Sequence, residues 1–179
     1  TEARYFLLSI YAMEGLSNKG YDLAKYTYNQ FPNNPYFERM LARTCFFNGK
    51  MDECMRLSQD ILRKIDEKYT GYEEVSGRYA SYFMGYYQFA IYKNYSEAKI
   101  YFDQTVKFTE KINDIKSNYY LAALNYLAKI AIQKKDLQSA ELYLAKVTKN
   151  SDRKNSQNKE AKKLLVEIKK LKKGKSRAN

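Results

Sequence analysis

Two segments of this chain, KNYSEAKIYFDQTV (93–106) and KDLQSAELYLAKVT (135–148), carry one pattern 42 residues apart. Each has a polar turn, then a large apolar residue (Tyr95, Leu137). A small residue follows three positions on (Ala98, Ala140), and apolar residues then recur at helical spacing. KGYDLAKYTYNQF (19–31) and GKMDECMRLSQDIL (49–62) add two more copies, with Ala24 and Cys54 at the small position. Before each copy lies another helical stretch with its own small residue: Ala12, Ala42, Gly85 and Ala128. A repeat of this length makes the chain an array of similar two-helix units, each burying its apolar face on the next. The paired small residues predict where two antiparallel helices approach most closely, because bulk there would force the axes apart.

The apolar spacing is that of helix rather than strand. In LNYLAKIAIQ, Leu124, Leu127, Ala128 and Ala131 fall at i, i+3, i+4 and i+7, one face of a helix. Pro32 and Pro35 bracket the break between the first and second pairs, and Pro35 suits a first helical turn. Gly49 suits a left-handed helix end. The pattern predicts helices over 3–16, 20–31, 35–48, 51–67, 72–92, 95–112, 115–134, 137–149 and 156–173. The last carries Leu164, Leu165, Ile168 and Leu171 as an apolar stripe among lysines, fit to cap the exposed end of a stack.

Bulk composition agrees. Hydrophobic residues make up 45% of 179, enough for a core, and only seven glycines and two prolines punctuate the chain. No run is long and apolar enough to cross a membrane. Thr1 reads as the start of a fragment or a processed chain, so the missing signal peptide says nothing of compartment. The net charge of +12 is uneven: residues 151–179 hold eleven Lys/Arg against three Asp/Glu, a net of +8, which leaves +4 for residues 1–150. Cys45 and Cys54 stand nine apart in a chain without histidine, which excludes CxxC redox chemistry and the usual zinc sites and predicts buried free thiols. The Lys-, Asn- and Tyr-rich usage is that of an AT-rich genome and points to a bacterial source, in the cytoplasm or the cell envelope.

These residues resemble the tetratricopeptide repeat (TPR) family. The match is clearest in Leu127-Ala128, Lys135-Asp136, Leu137, Ala140 and Leu144. It recurs in Met84-Gly85, Tyr95, Ala98 and Phe102; in Leu41-Ala42, Asn48-Gly49, Met51 and Cys54; and in Tyr11-Ala12, Lys19-Gly20, Tyr21, Ala24 and Tyr28. The resemblance covers residues 3–150. It implies an all-α, right-handed α-α superhelix of about four hairpins (1–150), with 151–179 as a basic capping helix and tail. The small residues of the second helices stand 30, 44 and 42 apart, not the family's regular 34, so the curvature is expected to be irregular. The third turn holds one extra residue.

Catalysis finds little support. No histidine serves as a base, and GxSxG, phosphate-binding glycine loops and HExxH are absent. Glu73-Glu74 and Asp52-Glu53 point about 100° apart on a helix and read as solvated faces. No catalytic residue, metal or cofactor is assigned. The resemblance instead implies a concave groove lined by the first helix of each pair. Carried over, its wall is Ser9 and Met13; Arg39 and Arg43; Tyr82 and Tyr86; Asn125 and Lys129; with Tyr36 and Tyr79 one turn earlier. Arginine forks and tyrosine rings suit an extended peptide with acidic groups. The family's carboxylate-clamp pattern of Lys, Asn and Arg is matched only in part. Two alternatives stand beside a protein or peptide partner. Self-association through the apolar opening helix RYFLLSIYAMEGL is one. The other is nucleic-acid binding, which the +4 of the repeat body disfavours.

Overall fold

The computed structural model describes residues 2–13 and 17–176. Among them are nine α-helices and no strand: α1 (Glu2–Met13), α2 (Ser17–Gln30), α3 (Pro35–Phe47), α4 (Met51–Asp66), α5 (Glu74–Ala90), α6 (Tyr95–Lys111), α7 (Asn118–Gln133), α8 (Leu137–Asn150) and α9 (Ser156–Ser176). Each helix packs on the next, and α3 also touches α5, α5 touches α7, and α7 touches α9. From α3 onward the odd helices therefore form one continuous layer with the even helices behind it, the expected α-α superhelical order of four hairpins and a final helix.

The small residues lie where two helices meet. Ala24, Ala42, Cys54, Gly85, Ala98, Ala128 and Ala140 are all buried; the side chain of Ala12 lies outside the described residues. The tightest approach is α5 on α6. A Cβ added at Gly85 would stand 2.9 Å from the ring of Phe102, and one at Gly77 would stand 2.8 Å from Phe108. Ser81 lies midway, its hydroxyl 2.9 Å from that of Thr105. Gly77, Ser81 and Gly85 thus form a shallow channel along α5 that receives a ridge of α6 rings and hydroxyls.

The turns share a construction. After α3, Lys50 N–H donates to Cys45 and Gly49 N–H to Phe46, with Gly49 at φ 65°. These are the paired bonds that close a helix through one left-handed residue. Glu67-Lys68-Tyr69, Ile112-Asn113-Asp114 and Lys134-Lys135-Asp136 repeat the bonds, with Lys68, Asn113 and Lys135 left-handed. Only one of these four positions is glycine, so glycine spacing underreports the joints. The next helix begins at once. Asp136 accepts from Ser139 N–H, Asn94 from Glu97 N–H, and Asn34 from the amides of Tyr36 and Phe37, satisfying free first-turn donors. The third turn spans 91–94, one residue longer than 48–50 and 134–136, as the sequence predicts.

Three expectations need correction. Lys19-Gly20 is not a turn: α2 starts at Ser17 and Gly20 is buried inside it, where an added Cβ would stand 3.6 Å from Tyr11 Cβ and Thr44 Cγ2, an ordinary contact distance. α5 starts at Glu74, not 72, because Tyr72 turns inward from the preceding linker. On α9, Ala161, Leu164 and Ile168 are buried, but Leu171 is 43% exposed; the helix runs past the hairpin it covers. Cys45 and Cys54 are buried free thiols, as expected. Burial pushes the Cys54 thiol up to about 12 and that of Cys45 upward as well.

The buried side chains form two clusters, one from α1 to α5 with Phe37, Leu57, Ile61 and Phe83, the other from α6 to α9 with Phe102, Leu124, Leu144 and Ile168. Tyr82 packs against both. Within the first lies an ionic group that the repeat pattern does not announce. Glu38 of α3 is fully buried. It accepts from Lys64 Nζ of α4 at 2.8 Å and from the hydroxyl of Tyr72, while Lys64 also pairs with Asp60 at 2.7 Å. Burial raises the Glu38 carboxyl above its usual range. At Asp60 burial acts upward too, but hydrogen bonds from Lys64 and Arg63 outweigh it and hold the carboxyl at about 2. The group fastens the 67–73 linker to the second hairpin.

The packing and the ionic group can both be tested by substitution. Gly85→Ala gains about 0.5–1 kcal/mol of helix propensity but overpacks Phe102 at about 1–3 kcal/mol. Its thermal midpoint should therefore fall, and in a Phe102→Leu background the same change should cost less. Lys64→Met strands a buried carboxylate and should cost about 3–5 kcal/mol in urea titration. The Glu38→Leu/Lys64→Met double variant should recover much of that loss.

Candidate peptide-binding face

The assigned side chains come from three neighbouring odd helices. On α3, Tyr36, Arg39 and Arg43 follow one face at i, i+3 and i+7. The Arg39 guanidinium lies 5.2 Å from the Tyr36 ring centre and 5.9 Å from that of Tyr79 on α5, and donates to Ser76 Oγ at 3.4 Å. Flat cations against ring faces are held in place without losing their charge. Arg43 stands 5.8 Å from the Phe47 ring, and its Nε is buried without a hydrogen-bond partner. The side chains of Ser9 and Met13 lie outside the described residues.

The tyrosines of α5 are inter-repeat packing as much as wall. Tyr82 meets Phe46, Phe102 and Tyr119, and Tyr86 meets Phe46 and Tyr126. Tyr79 lies 4.7 Å from Tyr119. Burial raises the hydroxyl of Tyr82 above its usual value and pushes that of Tyr126 up to about 12. These hydroxyls remain neutral donors across the physiological range.

On α7, Asn125 is 3% exposed. Its Nδ2 donates to the Gln157 carbonyl and to Gln157 Oε1, both at 3.0 Å, while its Oδ1 is buried without a partner. Lys129 pairs with Glu160 at 2.9 Å and lies 5.3 Å from the Tyr126 ring. The first turn of α9 therefore reaches onto this end of the face. Around it opens a cavity of about 300 Å³ lined by Tyr82, Asn125, Tyr126, Lys129, Gln157 and Glu160.

The structure thus brings Tyr36, Arg39 and Tyr79 together at one end and Tyr82, Asn125 and Lys129 at the other, with Arg43 a turn beyond Arg39 on α3 and Tyr86 a turn beyond Tyr82 on α5. Sequence reasoning missed Tyr119, which touches both Tyr79 and Tyr82. Tyr119, Ala122 and Tyr126 stand at i, i+3 and i+7 on α7, one helical face, and the latter two border the cavity; that spacing was the available signal. It also missed Arg78, 6% exposed, which pairs with Asp114 and covers the Tyr79 ring at 4.9 Å. Gln157 and Glu160 were out of reach, since nothing in the repeat pattern says where the last helix begins to pack.

No family model and no curated protein matches the chain. Among solved structures it is similar to a crystal structure of the nearly identical TPR-like repeats of a Podospora anserina "putative kinesin light chain". The TM-score is 0.59 at 15% identity, covering 98% of this chain and 96% of that one. Helix order, layer contacts and this likeness agree: the chain has the TPR-like fold, an α-α superhelix with a final helix stacked on its last hairpin.

Proposed function

We propose that the chain is a non-enzymatic interaction scaffold that holds a protein or extended peptide against the face of α3, α5 and α7. The observation that carries this reading is the cavity at the α7 end, where the buried Oδ1 of Asn125 has no partner. A buried acceptor left unmade costs about 1–3 kcal/mol, and an incoming backbone N–H would remove that cost. At the other end Arg39 and Arg43 supply positive charge held against aromatic rings, which favours an acidic residue in the ligand. A few such charged hydrogen bonds at about 1.5–3 kcal/mol each, less the cost of ordering a peptide, give micromolar affinity.

The test begins with capture from native lysate by the intact chain, followed by titration of the recovered partner. Arg39→Glu/Arg43→Glu should weaken it at least tenfold without changing the helical content. A partner held at full strength by the double variant would refute this face.

A second reading rests on α1. Phe6, Leu7 and Ile10 are 61%, 37% and 46% exposed on neighbouring turns, an apolar surface suited to a second copy. Light scattering over a concentration series should then show mass rising towards the dimer, and Ile10→Lys should return it to the monomer. A constant monomer mass would sink the reading.

A further inference from the structure

Among the described residues, the outward face of α9 carries a stripe of unpaired lysines. At 3.6 residues per turn, Lys159, Lys162, Lys163, Lys170 and Lys173 fall within an arc of about 100°. That arc is opposite the buried Ala161, Leu164 and Ile168. All five are exposed, Lys169 flanks them, and Val166 sits among them at 53% exposure. At 1.5 Å per residue the stripe runs about 21 Å. Glu160 is turned towards Lys129, and Glu167 stands beyond the edge of the arc.

Many exposed cations elsewhere on the molecule are paired: Arg63 with Asp60 and Glu67, Lys99 with Asp103, Lys111 with Glu74, Lys146 with Glu110, and Lys172 with Glu141. Among the described residues, none of the five stripe lysines is in such a pair. Like charges at i, i+3 and i, i+4, as at 159/162, 159/163 and 170/173, work against the helix. It holds because its other face is packed on α7 and α8.

We propose that this stripe docks the chain on an anionic lipid surface. The stripe is made of lysines, hydrated point charges with flexible stems, and has no guanidinium fork to clamp a single phosphate. It has no aromatic ring to stack on a base, which single-strand binding uses. Its lysines could reach a guanine edge, but it carries no Asn, Gln, Ser or Thr to read the other bases. Its apolar face is already spent on the core, so the helix lies on a headgroup layer by charge rather than by insertion. The stripe on α9 faces away from α7 and α8, so it can meet a plane while the face of α3, α5 and α7 stays available.

Each lysine near an anionic leaflet strengthens binding about fivefold, or ~1 kcal/mol. The full chain should co-sediment with phosphatidylcholine vesicles containing phosphatidylglycerol and not with phosphatidylcholine alone. Binding should fall steeply as salt shortens the screening length. Lys162→Gln/Lys163→Gln/Lys170→Gln/Lys173→Gln should lose on the order of a hundredfold or more with a thermal midpoint no lower than that of the unsubstituted chain. Arg39→Glu/Arg43→Glu should bind vesicles as before, which separates this surface from the peptide face. Equal binding to neutral vesicles, undiminished binding by the quadruple variant, or tighter binding to duplex DNA than to the anionic vesicles would each overturn the proposal.

Discussion

The fold depends on how closely two helices can lie, and side-chain volume at a few points sets that distance. Where α5 crosses α6, Gly77 and Gly85 leave no Cβ, and the rings of Phe108 and Phe102 occupy the space. The apolar area buried by those rings is available only because the backbone gives way to them. At the other hairpins alanine or cysteine suffices, as Ala24, Cys54 and Ala140 show by their complete burial. The tight pair is also the long one, with 17 residues in each helix, so close approach extends over more turns.

Stacking hairpins then requires something between them, and this chain uses aromatic rings. Phe46 of α3 stacks on Phe83 of α5 at 4.5 Å, Tyr79 meets Tyr119, and Phe102 stacks on Tyr126 at 4.8 Å. Phe102 belongs to α6, so this last contact ties an even helix to α7, and of the rings between helices Tyr79, Tyr82 and Tyr86 are also among those assigned to the candidate face. This explains why the tyrosines assigned as wall are half-buried rather than free. Arg39 and Arg78 lie on this ring surface, so charge is placed by packing rather than by a loop.

The architecture was legible because each close contact needs a small residue at a helical interval. A repeated physical need leaves a repeated letter. The joints were less legible: a left-handed residue is needed after α4, α6 and α7, but lysine or asparagine fills it, and neither stands out in a lysine-rich chain. Gly20 misled in the opposite sense, since a glycine that reads as a turn is buried inside α2. The ionic group of Glu38, Lys64 and Tyr72 left no trace, because its partners stand 26 and 34 residues apart and each alone reads as surface. Of the assigned face, helical phase was enough to group residues on one helix. It could not show that α9 reaches Asn125 and Lys129.

The division of the interior into two clusters has a mechanical meaning. Phe83 of α5 belongs to the α1–α5 cluster and Phe102 of α6 to the α6–α9 cluster, yet these helices form the tightest pair. The boundary between the clusters therefore runs along a close crossing, and parting them would bring the rings of Phe102 and Phe108 out from against the α5 backbone into water. Tyr82, packed against both clusters, adds a second tie across that boundary, so the stack is joined along its length rather than hinged at its middle.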